Sequence, residues 1–182
     1  MTDSSAATPA ETQDLLNLFP YYQNYIDLSR IECATLSAFL PSSTSGPRNF
    51  AFIGSGPLPL TSLCILDIYP TASVHNIDRD SAALQASQAL CNRLPHAGKM
   101  SFACTDVSSD DVASAKSTDW KSFDVVFLAA LVGMDTHSKL AILESLARKL
   151  RPGALVVVRS AKGLRSVLYP VGLFPDTCTW SI

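Results

Sequence analysis

The run Phe50-Ala51-Phe52-Ile53-Gly54-Ser55-Gly56-Pro57-Leu58-Pro59-Leu60 constrains the fold of this chain more than any other segment. Its first four residues are apolar and read as a buried strand. Two glycines one residue apart follow, and then a stretch that favours a helix. Glycine is needed where a chain must turn sharply at a strand's end and come close to a ligand, because a Cβ there would forbid positive φ or collide with the ligand. A strand, a Gly-x-Gly turn and a helix in that order hold a nucleoside cofactor, so the segment predicts a Rossmann-like domain that binds S-adenosylmethionine or a dinucleotide. The third glycine of a dinucleotide fingerprint would fall at Pro59, which argues against NAD and FAD.

The segments that follow repeat the pattern. After a helix from Pro59 to Tyr69, Ser73-Val74-His75-Asn76-Ile77-Asp78 reads as a second strand that ends in an acid. A carboxylate about twenty positions beyond the glycines can accept ribose hydroxyls, and Asp78 is the candidate; Asp80 reads as a helix cap. Met100 to Thr105 forms a third strand, with Asp106 at its end as the candidate for the adenine amino group and Val107 beside it. Phe123 to Ala130 is almost wholly apolar, as a central parallel strand buried on both faces should be. Ala154 to Arg159 supplies a fifth strand. The helices between are Ser81 to Leu94 and Ser138 to Leu150, the latter with an apolar stripe at Leu140, Leu143, Leu146, Ala147 and Leu150. Arg151-Pro152-Gly153 stops it. Alternating strands and helices predict an α/β fold, a mostly parallel sheet of about five strands covered on both faces. At 182 residues and 47% hydrophobic content the chain can build one such domain, spanning 18–182, with residues 1–17 a disordered or short amino-terminal segment in which Met1 to Gln13, rich in Ser, Thr, Ala and Pro, reads as disordered.

Bulk properties narrow the partners. A net charge of −2 with 14 scattered basic residues argues against nucleic acid. No apolar run approaches the roughly 20 residues of a membrane span, and Met1 to Ala10 lacks the positive start and apolar core of a leader, so a cytoplasmic location is expected. Five cysteines, Cys33, Cys64, Cys91, Cys104 and Cys178, show no CxxC spacing and read as buried thiols. The three histidines are dispersed, and no metal site is expected.

One segment lies ahead of this core: Leu18-Phe19-Pro20-Tyr21-Tyr22-Gln23-Asn24-Tyr25-Ile26-Asp27-Leu28-Ser29-Arg30-Ile31-Glu32, which holds three of the five tyrosines. On a helix Tyr21 and Tyr25 share a face and Tyr22 points about 100° away. Packing of the helix across the sheet would bury Tyr25, Leu28, Ile31 and Leu36. The phenols also have a chemical use beside a sulfonium, since an aromatic face attracts a cation and a phenolic oxygen can orient or deprotonate an amine.

Five motifs in register then carry a resemblance. Phe19-Pro20-Tyr21-Tyr22-x-Asn24-Tyr25 with Leu28-Ser29-x-x-Glu32, Ala51 to Pro59, Val125 to Met134, Val157-Val158-Arg159-Ser160-Ala161-x-Gly163 and Leu168-Tyr169-Pro170 resemble nicotianamine synthases in order and spacing, over roughly Leu18 to Val171. The resemblance implies transfer of the 3-amino-3-carboxypropyl group of S-adenosylmethionine, repeated condensation, closure of an azetidine ring and release of methylthioadenosine. It implies that Gly54, Ser55, Gly56, Pro57 and Leu58 line the cofactor loop, with Asp78 on the ribose, Asp106 and Val107 at the adenine, and Ala129, Ala130 and Leu131 under the adenosyl group. Tyr22, Tyr25, Arg159 and Tyr169 are the candidates for gripping the aminocarboxypropyl portion, Arg159 through a bidentate pair with its carboxylate.

Two departures from the family pattern enter the reading. Family members carry a helical amino-terminal domain that roofs the reaction cavity, whereas here about 17 residues precede the tyrosine motif; the closing strands after Tyr169-Pro170 are also expected to be missing. Thr177 to Ile182 could form one edge strand or pair with another molecule. Three readings follow: a reduced reaction on S-adenosylmethionine, such as a single transfer or intramolecular cyclisation to azetidine-2-carboxylate; full synthesis with the site closed by a homodimer partner or the short amino terminus; or a non-catalytic binding protein or truncated gene product. Methyl transfer is what the fold alone would favour, and fold is weak evidence for reaction.

Overall fold

The computed structural model describes residues 11, 14, 16–40, 46–94, 96–108 and 118–159. Five strands, β1 (Asn49–Ile53), β2 (Ser73–Asp78), β3 (Met100–Cys104), β4 (Val125–Leu128) and β5 (Leu155–Val158), form one sheet in the order β3-β2-β1-β4-β5. Every pairing is parallel. The crossovers include α2 (Leu60–Ile68), α3 (Ser81–Cys91) and α4 (Thr136–Lys149), and α1 (Tyr22–Phe39) precedes the sheet. The predicted α/β fold is therefore present, each strand within a residue or two of its expected span except β4, which is shorter.

The central strands explain the order. β4 is buried at every position and β1 at all but Asn49, so each needs a neighbour on both edges and apolar cover on both faces. One face packs Phe50, Phe52 and Phe127 against Leu36 of α1 and Ile65 and Leu66 of α2. The opposite face packs Ala51, Ile53, Val126 and Leu128 against Ile142 and Leu146 of α4. Chain order reverses between β1 and β4, and in open parallel sheets a ligand crevice opens at such a point, beyond the carboxyl ends of the strands.

Three expectations are corrected, on α4, on α1 and at Cys104. On α4, Leu146 is buried and Leu143 and Leu150 pack beside it as expected, but Lys139, Ile142 and Ser145 are buried too and Ala147 is exposed. The buried face is wider than the apolar stripe because Lys139 finds partners inside, as described below. On α1, Tyr22, Ser29, Cys33 and Leu36 face the protein and Ile31 is 65% exposed. Of the amino-terminal segment, Glu11, Asp14, Leu16 and Asn17 are helical, and Leu16 packs against a cluster that includes Tyr22. Cys104 is exposed, whereas burial holds the Cys33, Cys64 and Cys91 thiols up at about 11. Cys178 and the segment Thr177 to Ile182 lie outside the described residues. Among the described residues no helix is long and apolar enough to cross a membrane.

At the amino edge of the sheet Asp124 ties three segments together. It accepts hydrogen bonds from the backbone N–H of Arg48 (2.7 Å) and Asn49 (2.9 Å) and from Arg151 Nη2 (2.6 Å). Burial works to raise its pKa, yet these donors outweigh burial and hold the carboxyl below the ordinary aspartate value. Its contribution to stability is then fully present above the unfolded pKa of about 4 and is lost as pH falls through the lower folded value. Asp124→Ala should cost about 2 kcal/mol in urea unfolding at pH 7, and the gap between parent and variant should narrow below pH 4. A gap that does not change with pH would contradict this assignment.

Candidate active site

The ladder of the sheet extends one residue past each strand and brings the chemistry-bearing residues to one edge. Gly54 N–H donates to Ile77 O (2.8 Å), Ala129 N–H to Ile53 O (3.0 Å), Thr105 N–H to Asp78 O (2.9 Å) and Arg159 N–H to Leu128 O (3.0 Å). Gly54 to Leu58, Asp78, Asp106, Ala129 to Leu131 and Arg159 thus all follow, or end, strands at the carboxyl edge.

Two glycines shape the loop after β1 for different reasons. Gly54 has φ +80°, and a Cβ on it would stand 2.4 Å from Val132 Cγ2 and 2.9 Å from the Ala129 Cβ. The loops after β1 and β4 are therefore in contact, and only glycine lets them close. Gly56 has φ +63°, but its Cβ would meet nothing within 4 Å. It faces open space beside the crevice, which is where a ligand can approach the backbone. Between them Ser55 is buried with its Oγ unpartnered among the described residues. Pro57 is exposed and Leu58 is half-buried.

Asp78 holds this loop in place. Its Oδ2 accepts the Gly56 N–H (2.8 Å) and its Oδ1 the Asp80 N–H (3.0 Å), so the carboxylate braces the turn it was expected to serve. Each oxygen keeps a further lone pair for a hydroxyl. Asp80 is the N-cap of α3, with Oδ1 accepting from Ala82 N–H (2.9 Å) and Ala83 N–H (3.2 Å). Asp106 is exposed and accepts from the Ser108 Oγ (2.6 Å) and N–H (2.9 Å), which hold its carboxyl below the ordinary range. Val107 packs on the sheet beneath it.

The loop after β4 carries apolar groups to the opening. Ala129 and Ala130 are half-buried, while Leu131 is 50% and Met134 56% exposed. Behind this wall lies Lys139, a residue the sequence reading missed. It is 4% exposed, and its Nζ donates to the carbonyls of Ala130 (2.9 Å), Arg159 (3.2 Å) and Ala129 (3.3 Å). Burial pushes its ammonium below the ordinary lysine range.

Arg159 does not present a free fork to the crevice. Its Nε and Nη2 pair bidentately with the two oxygens of Glu32 at 2.8 Å each, and Nη1 donates to Thr61 Oγ1 (2.9 Å). The guanidinium lies 5.5 Å from the Phe52 ring centre and 5.8 Å from that of Phe127, and both side chains of the ion pair are nearly buried. Its expected role as a carboxylate clamp gives way to a structural one, because a protein carboxylate already fills the fork. Tyr22 is 6% exposed in a cluster with Leu60, Leu63 and Leu94. Tyr25 and Leu58 pack on the same cluster, so the tyrosine helix and the loop after β1 share one small core. Tyr169 lies outside the described residues.

A cavity of about 230 Å³ opens at the opposite edge, lined by His75, Ser101, Thr118 and Phe123 among others. It sits at the amino ends of the strands, away from the glycine loop, the acids and the switch point. The carboxyl edge is the candidate site because ligands of open parallel sheets bind there.

The family model for nicotianamine synthase protein matches residues 4–178. The chain belongs to the nicotianamine synthase family. It is 42% identical over 160 residues to nicotianamine synthase 1 of Arabidopsis thaliana, 45% over 159 to nicotianamine synthase 3 of Oryza sativa subsp. japonica, and 44% over 158 to nicotianamine synthase of Solanum lycopersicum. These matches take in 86–87% of this chain and 45–47% of the relatives, so the chain spans about half the length of the curated relatives it matches. Among solved structures it is similar to the DszA carbon methyltransferase (TM-score 0.62, 18% identity, 88% of this chain and 42% of that one). It is also similar to the plantazolicin methyltransferase BpumL in complex with a pentazolic desmethylPZN analog and SAH (TM-score 0.56, 19% identity, 88% and 57%). At such identities the likeness establishes the fold, that of S-adenosylmethionine-dependent methyltransferases.

The two glycines should separate in experiment. Gly54→Ala forces a clash between loops at a left-handed φ and should lower the free energy of unfolding by about 2–4 kcal/mol. Gly56→Ala should cost about 1 kcal/mol, the strain of the backbone alone. Equal losses in urea unfolding would contradict the different surroundings assigned to them.

Proposed function

We propose that the carboxyl-edge crevice binds S-adenosylmethionine and transfers its 3-amino-3-carboxypropyl group to an amine, releasing methylthioadenosine. The observation that carries this reading is the loop of Gly54 to Gly56, open at Gly56 and braced by Asp78, in a chain of the nicotianamine synthase family. Gly54, Ser55, Gly56, Pro57 and Leu58 would line the cofactor, with the unpartnered Ser55 Oγ available to it. Asp78 would take the ribose, Asp106 and Val107 the adenine edge, and Ala129, Ala130 and Leu131 the adenosyl face. Tyr25 and Tyr169 would grip the aminocarboxypropyl portion, while Tyr22 and Arg159 hold the tyrosine helix in place.

The chemistry needs an attacking amine in line with the Cγ–S bond. The amine lone pair forms a C–N bond to the γ-carbon as the C–S pair collapses onto sulfur, which turns a sulfonium into a neutral thioether. The proton on the new ammonium then passes to a base, a role a tyrosine oxygen of this segment can fill or relay. Placement selects which of the three carbons around sulfur is attacked. The aromatic groups attract the sulfonium cation, and Leu131 and Met134 add apolar surface at the opening. A cytoplasmic setting fits a chain with four free cysteines among its described residues.

Incubation of the protein with S-adenosylmethionine, followed by mass spectrometry, tests the reading. Methylthioadenosine is expected, together with a product that carries an aminocarboxypropyl unit or an azetidine-2-carboxylate, and Gly56→Val should abolish both turnover and binding. S-adenosylhomocysteine instead of methylthioadenosine would show methyl transfer and refute attack at the γ-carbon. Undiminished binding by Gly56→Val would refute the placement of the cofactor.

A further inference from the structure

Lys139 is, among the described residues, a buried charged group that the proposed chemistry does not use. Taking an ammonium out of water costs several kcal/mol, and a methionine of similar volume would fill the same space without that cost. The position is therefore a poor investment in stability alone. Its hydrogen bonds have an unusual distribution. All three go to main-chain carbonyls at strand ends, two after β4 and one after β5, within 2.9–3.3 Å. An ammonium has three hydrogens in a tetrahedral spread and no acceptor, so three converging carbonyls satisfy it fully.

The carbonyls are those of the crevice wall. Ala129 and Ala130 begin the loop that faces the opening, and Ala129 is also the residue that a Gly54 Cβ would strike at 2.9 Å. Arg159 is held from its other end by Glu32 of α1. The loop after β4 also folds back over the lysine. Gly133, at φ +65°, lies so close that a Cβ on it would stand 2.8 Å from both Cα and N of Lys139. The strand ends thus meet the ammonium of Lys139, while the loop at Gly133 packs against its backbone in the first turn of α4.

We propose that Lys139 is a positioning residue for the ligand crevice: by drawing the carbonyls of Ala129, Ala130 and Arg159 onto a single ammonium, it fixes the distance of the wall after β4 from the glycine loop. The inference rests on the reading of this crevice as the S-adenosylmethionine site. A wall that contacts the adenosyl group acts on the bound ground state, so its displacement weakens affinity.

The test is calorimetric titration of S-adenosylmethionine into the full chain and into Lys139→Met. The affinity of the variant is expected to fall at least tenfold while the fraction of binding-competent protein stays that of the parent. A purely structural role would do the opposite, lowering the competent fraction with affinity unchanged, and that result overturns the proposal. Should Lys139→Met fail to fold, the parent protein decides by NMR: the Lys139 side-chain nitrogen resonance should shift on saturation with S-adenosylmethionine, and an unmoved resonance overturns the proposal. A parent that binds no S-adenosylmethionine would instead refute the underlying reading of the site. Binding by the parent with an unaltered Lys139→Met refutes only the role of the lysine.

Discussion

The bidentate pair between Arg159 and Glu32 is the constraint on which the arrangement of the site depends. A planar guanidinium accepts a carboxylate fork in few orientations, and this one is further fixed by Thr61 and by the faces of Phe52 and Phe127. Arg159 follows β5, Glu32 is on α1 and Thr61 is on α2. One side chain therefore sets where the tyrosine helix lies relative to β5 and to the helix after the glycine loop. A buried pair of this kind adds little net stability over apolar packing, but losing one partner leaves an uncompensated charge. Its effect is on placement.

On the opposite face of the sheet Lys139 completes the arrangement. Arg159 is gripped by its side chain from the α1 face and by its carbonyl from the α4 face. The sheet edge on which the ligand would rest is thus held from both sides by charged groups whose other ends reach helices far apart in sequence. Aromatic and aliphatic packing builds the core, and these polar bolts set the geometry of its rim. The loop after β1, braced by Asp78, belongs to the same rim.

Much of the fold was legible because parallel strands buried on both faces leave continuous apolar runs, and glycines mark their ends. Phe50 to Gly56, Ser73 to Asp78 and the cap at Asp80 could be read for that reason. The faces of the helices were less legible. Periodicity predicted Ala147 inward and Ile31 buried, yet both are exposed, while Lys139 is buried. Lys139 is inward because carbonyls from two other segments meet it, and no spacing within α4 announces that. Arg159 read as a clamp for a substrate carboxylate because the sequence shows an arginine at a strand end and does not show that Glu32, 127 positions away, reaches it first. That Tyr22 is buried and Tyr25 only half-buried on one cluster depended on Leu60, Leu63 and Leu94, which lie on another helix and beyond it.

The central claim is that the nucleoside sits at the carboxyl edge of β1, β2 and β4. The most direct measurement is a crystal structure of the chain with methylthioadenosine. The account predicts ribose hydroxyls within hydrogen-bond distance of Asp78, the adenine beside Asp106 and Val107, and the thioether over the loop of Gly54 to Gly56. A nucleoside bound in the cavity at the amino edge, beside His75 and Thr118, or anywhere else away from Asp78, would contradict it.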